Sequence, residues 1–193
     1  MIRDINPKYS NFESLLQHIG ETKESNIRKW AEQLKKDIGK LSEDITGAQF
    51  KLDQLTEEVE KSLPLVLEIE VEGKQYQHDL ERYQAIQRLI GQKQTEVDGL
   101  GIFLTDLKNK KTLFQTSHDW TIASKNIMSS DLKEIVATEF TQRIEKFKQT
   151  GDFCARVFPQ SKLAHELKDS VTEFSQLAPV IATLRTPSLK DRH

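Results

Sequence analysis

The chain has 193 residues, of which 30 % are charged and 36 % belong to the hydrophobic set, with a net charge of -2. This near-neutral balance gives no basis for a nucleic-acid or anionic-membrane surface, and no apolar run approaches the roughly 20 residues that span a bilayer. Eight Gly, five Pro and a single Cys suit long solvated helices in a reducing cytosolic compartment, with no internal disulfide framework.

In chain order, residues 1–20 read as a short lead-in. Pro7 disfavours helix at Asn6; Phe12, Leu15, Leu16 and Ile19 supply two helical turns; Gly20 is the expected stop. Met1–Asp4 carries no apolar h-region, which argues against a secretory signal.

From Thr22 to Leu63 the spacing predicts one long amphipathic helix of roughly 60 Å. Its stripe is Ile27, Trp30, Leu34, Ile38, Leu41, Ile45, Ala48, Leu52, Leu55, Val59 and Leu63. The apolar residues recur every three or four positions, close to the 3.6 of a straight helix, so weak supercoiling is expected. Two readings stay open for this face. It packs on the chain's own helices, or it receives a partner through Ile27, Trp30, Leu34, Ile38, Leu41, Ile45, Leu52, Leu55 and Val59. Gly39 and Gly47 inside it are expected to permit close helix approach or a bend.

Pro64 interrupts the stripe. Leu65, Leu67, Ile69 and Val71 alternate in a strand-like way up to Gly73. A lone strand could not pair its backbone groups, so a helix or extended connector is preferred. Tyr76, Leu80, Tyr83, Ile86, Leu89, Ile90 and Val97 continue a helical face, punctuated at Gly99 and Gly101. A shorter helix is expected over Ile102–Phe114, ending in the basic run Lys108-Asn109-Lys110-Lys111 as a solvated helix end. Asp131 and Glu134 form a capping-box pattern before Leu132, Val136, Phe140, Ile144 and Phe147, with Gly151 as terminator. A last helix follows Ser161, with Leu163, Leu167, Val171, Phe174, Leu177 and Ile181 inside and a disturbance at Pro179. The fold class is therefore all-α: a long amphipathic helix followed by a helical bundle. The expected organisation is a lead-in over 1–20, a long helix and connector over 21–75, and a bundle over 76–193.

No constellation carries catalysis. Gly39-Lys40 and Gly73-Lys74 lack the preceding Gly and following Ser or Thr of a phosphate-binding loop. His165-Glu166-Leu167-Lys168-Asp169 has Asp where a zinc helix needs its second His. His78-Asp79 and His118-Asp119 are sequence neighbours and do not face each other on a helix. Cys154, flanked by Phe153 and Val157, reads as a small buried hydrophobe rather than a nucleophile. No enzymatic activity, cofactor or metal is expected of the chain.

Leu184, Arg185, Pro187, Leu189, Arg192 and His193 resemble a signature near the start of the linker region of dynein heavy chains. There the pattern is usually followed by Trp, and Thr186 stands where Asn is usual. The resemblance extends back to about residue 76 through Tyr83–Gly91, Gly99-Leu100-Gly101-Ile102-Phe103, Phe114, Trp120, Phe140, Phe147 and Ala178-Pro179-Val180-Ile181; residues 1–75 are similar only in general character. The resemblance implies a non-catalytic mechanical segment between the tail and the ATPase ring, contributing to the linker that delivers the power stroke. It implies the rest of the heavy chain, tail and AAA+ ring, as partner, together with other dynein subunits. ATP and Mg would belong to the parent motor. It further implies a cytoplasmic, cytoskeletal setting, with an axonemal subclass in a cilium or flagellum preferred. The alternative from a different class is a free-standing dimeric coiled-coil scaffold or tether.

Overall fold

The computed structural model describes residues 5–129 and 137–184. Among these residues it is all-α: α1 (Ile5–Asp53), α2 (Val59–Leu89), α3 (Asp98–Ser129), α4 (Ala137–Val157) and α5 (Lys162–Leu184). The Asp131–Glu134 capping pattern, with Leu132 and Val136, lies outside the described residues.

α1 starts earlier and stops earlier than its periodicity predicts. It runs through Gly20, and it ends at Asp53 although the apolar spacing continues to Leu63. Polar groups at the break explain the stop. The Ser62 hydroxyl, 1 % exposed, donates to the Thr56 carbonyl at 2.6 Å, while the Glu58 carbonyl accepts the Ser62 amide at 2.9 Å and opens α2. Leu55, Val59 and Leu63 thus keep the period across two helices, which a count of spacings cannot detect.

Residues 65–72 are helical, within α2. The buried positions there are Ser62, Val66 and Ile69, at helical spacing, whereas Leu65, Leu67 and Val71 of the alternating set are exposed. The boundary expected between residues 75 and 76 falls inside the same helix. The punctuation expected at Gly99 and Gly101 comes earlier, at Gly91, and those two glycines open α3. Gly91 has φ +72° and is the left-handed residue of a Schellman cap: its amide bonds the Arg88 carbonyl at 3.2 Å, and the Gln92 amide bonds the Gln87 carbonyl at 2.8 Å. Gly91→Ala should cost about 1 kcal/mol, because a Cβ is penalised in this conformation, and Gly91→Asn less; thermal melts of both variants check this.

Contacts divide the chain into two units, neither continuous in sequence: residues 1–47 with 73–101, and residues 48–72 with 102–193. In the first, Leu34, Ile38, Leu41 and Ile45 of α1 are buried, as is Leu100. The connection after α2 is held by Gln87, 5 % exposed, which donates to the Thr95 hydroxyl at 2.7 Å and accepts the Thr95 amide at 2.8 Å.

In the second unit, Leu52, Val66 and Phe103 are fully buried. A larger cluster gathers Leu113, Trp120 and Ala123 of α3, Phe140, Ile144 and Cys154 of α4, and Ala164, Leu167 and Val171 of α5. Helices α4 and α5 form a tight hairpin. Ser161 caps α5, its hydroxyl accepting the Ala164 amide at 3.2 Å. Gly151, expected as a terminator, instead lies within α4. A Cβ there would stand 3.3 Å from the Lys168 Cα, so the missing side chain is what lets α5 come this close. No such crowding exists at Gly39 or Gly47, where a Cβ would meet nothing within 4 Å, so close helix approach is not their role.

Candidate functional site

Each helix places its chemistry-bearing side chains apart. Among the described residues no three His, Cys, Asp or Glu gather as a metal site would require. The His165 ring lies 3.1 Å from the Pro159 carbonyl, at the α4–α5 turn. Cys154 sits inside the unit-two cluster, fully buried, and burial pushes its thiol up to about 11. At neutral pH such a thiol is protonated and inert, as a packing residue should be. No described helix is long and apolar enough to cross a membrane.

What the second unit does contain is a set of polar ties at the end of α1. The Lys110 ammonium donates to the Leu52 carbonyl at 2.6 Å and reaches the Asp53 carboxylate at 3.1 Å. It thereby satisfies a C-terminal carbonyl of α1 and opposes the negative end of that helix. Lys111 pairs with Glu70 of α2 at 2.7 Å, Lys51 of α1 with Glu72 at 3.2 Å, and the Gln49 amide donates to Asp106 at 3.3 Å. The basic run of α3 is therefore not a solvated helix end. It lies mid-helix, and two of its lysines hold α1 and α2. The spacing of Lys110 and Lys111 in the sequence carries no trace of this, because their acceptors lie 41 or more residues away.

Most of this network is exposed, so its ion pairs contribute little each; the Lys110 bond to a main-chain carbonyl is the strongest element. Lys110→Met keeps the aliphatic stem and removes the charge. The expected loss is about 1 kcal/mol in urea denaturation, with faster amide exchange in the last turn of α1 and no change elsewhere.

The face expected to receive a partner divides in two. Leu34, Ile38, Leu41 and Ile45 are buried in the first unit, Leu52 in the second, and Leu55 and Val59 are half-buried. These positions serve the chain's own core. Ile27 is half-buried and Trp30 is 60 % exposed. Exposure continues toward the N-terminus along Tyr9, Phe12, Leu15, Leu16 and Ile19, residues read in the sequence only as a lead-in. Beside Trp30 the first unit carries an apolar groove of about 380 Å³ between α1 and α2, with Asp37 and Arg82 along its length. Of the signature residues, Leu184 is the last residue of α5, its side chain undescribed; Arg185, Pro187, Leu189, Arg192 and His193 lie outside the described residues.

The geometry defines an all-α packing element, built from interhelical contacts. Comparison with known proteins gives a family resemblance for the C-terminal half. Residues 100–193 match the dynein heavy chain, N-terminal region 2. Mouse "Dynein axonemal heavy chain 1" is 24 % identical over 115 residues, which is 58 % of this chain. The aligned part is 3 % of that protein. No solved structure matches the chain. The resemblance read from the terminal signature is supported: residues 100–193, just under half of the chain, are similar to the N-terminal region of dynein heavy chains.

Proposed function

We propose that this chain is a non-catalytic mechanical segment of a dynein heavy chain, joining the tail to the ATPase ring and contributing to the linker in microtubule-based movement. The observation that carries the reading is the family match over residues 100–193, which coincides with the Trp120-centred bundle. Close-packed helices have low compressibility and pass strain along, which suits an element that transmits force. On this reading the partners are the remaining tail and the AAA+ ring of the same heavy chain, with other dynein subunits attached. ATP and Mg act in that ring. The similarity to an axonemal heavy chain supports a cytoskeletal setting in a cilium or flagellum.

The deciding experiment is to read the parent transcript past the His193 codon. The expected result is a Trp codon next, then several G-x-x-x-x-G-K-[ST] loops far downstream. A stop codon directly after His193 would overturn the proposal.

A further inference from the structure

We propose that Thr95 is a phosphorylation site for an acid-directed protein kinase, and that a phosphate there opens the connection between α2 and α3. Residues 92–97 form neither helix nor strand, and Lys93, Thr95, Glu96 and Asp98 are exposed. A protein kinase takes its substrate as an extended, accessible segment, and selects it by charge. Thr95-Glu96-Val97-Asp98 sets carboxylates one and three residues beyond the hydroxyl, the pattern that a basic substrate cleft attracts. Ser10, Thr116 and Ser170 also have an acid three residues on, but they lie inside α1, α3 and α5. Hydrogen-bonded helical main chain cannot enter such a cleft, so the fold singles out Thr95 from these four.

Thr95 is also the residue that clasps this connection. The Gln87 amide nitrogen donates to the Thr95 hydroxyl at 2.7 Å, the Thr95 amide donates to the Gln87 Oε1 at 2.8 Å, and the Gln84 side chain donates to the Thr95 carbonyl at 3.0 Å. Gln87 is 5 % exposed, so both polar atoms of a desolvated carboxamide are engaged by one exposed threonine. In the transfer, Oγ1 attacks the γ-phosphorus of ATP, its proton passes to the kinase's general base, and ADP leaves as the bond to the γ-phosphorus breaks. The ester carries roughly -1.5 to -2 charges at neutral pH, beside the carboxylates of Glu96 and Asp98. Such a group stays hydrated and cannot rest against the buried carboxamide. Phosphorylation therefore pulls Thr95 outward and undoes both Gln87 bonds together. The attacking lone pairs are partly occupied while Gln87 donates to Oγ1, so the clasp also slows the kinase.

The test treats the full 193-residue chain with a purified acidophilic casein-type kinase and Mg-ATP, maps the phosphate by peptide mass spectrometry, and follows amide exchange. Thr95 should take up one phosphate, and Asp98→Asn should slow that uptake several-fold. Thr95→Val should take up none at this position with unchanged circular dichroism. In the phosphorylated chain, the Thr95 amide should exchange at least tenfold faster, and α4 and α5 should exchange as before. Gln87→Leu opens the clasp without a phosphate, so it should reproduce the faster exchange and be phosphorylated faster than the wild-type chain. Phosphate absent from Thr95 would overturn the proposal. So would phosphate on Thr95 that leaves its amide protected, or a Gln87→Leu chain phosphorylated no faster. Thr95 precedes residues 100–193 of the family match, and none of these outcomes depends on the codons beyond His193, so this site and the motor segment fail separately.

Discussion

Replacing Trp120 with Ala should cost about 3–5 kcal/mol, the largest loss expected from any single substitution described for this chain. The indole is 4 % exposed at the centre of the α3–α4–α5 cluster. Its ring meets Phe147 edge-on at 5.3 Å between centroids and Phe174 at 5.0 Å. Its Nε1 donates to the Ser170 hydroxyl at 2.9 Å. Truncation removes the burial, leaves a cavity at a junction of three helices, and takes away two favourable ring pairs. Trp120→Phe separates these contributions. It keeps most of the apolar volume and loses chiefly the hydrogen bond, so its expected cost is nearer 1–2 kcal/mol. Urea denaturation followed by circular dichroism gives both numbers. A loss below 1 kcal/mol for Trp120→Ala would show that the three helices are not held together at this residue.

The second large effect is expected at Gly151. The Cβ position sits 3.3 Å from one backbone atom of Lys168 and 3.7 Å from another, and backbone of a packed helix cannot rotate aside as a side chain can. Gly151→Ala sets a helix-propensity gain of about 1 kcal/mol against this crowding, so its net effect is small. Gly151→Leu adds three further carbons where no space exists. It should push α4 and α5 apart at a cost of roughly 3 kcal/mol. Cys154 reports the separation directly. Buried, with its thiol pushed up to about 11, it should resist a thiol reagent at pH 8 in the wild-type chain and react in Gly151→Leu. Gln149→Leu, at an exposed neighbouring position, is the control and should leave Cys154 protected. Protection of Cys154 in Gly151→Leu would refute the close-approach role.

The helical class, the last helix from Ser161 and the core positions Leu34 to Leu52 are legible in the sequence, because each rests on a local period of three or four. The break after Asp53 is not. Apolar spacing persists through Leu55 and Val59, while the groups that end α1 are the Lys110 ammonium, 57 residues from Asp53, and a hydroxyl on Ser62. Gly151 is ambiguous for a related reason. A glycine that stops a helix and a glycine that admits a neighbour are the same letter, and the neighbour, Lys168, is supplied by another helix. Residues 65–72 alternate in hydrophobicity, yet burial tracks Ser62, Val66 and Ile69, so packing overrides the local pattern. The exposed row from Tyr9 to Ile19 is visible as apolar letters, but exposure is a property of the fold and has no sequence signature.

The contrast between the two tryptophans has a spectroscopic consequence. Trp120 is buried in the second unit and Trp30 is 60 % exposed in the first. The emission of the folded chain should therefore be composite: a blue-shifted fraction shielded from iodide, and a red-shifted fraction open to it. Each fraction belongs to one unit. Loss of the blue component on heating reports the second unit alone, while iodide quenching of the red one reports the first.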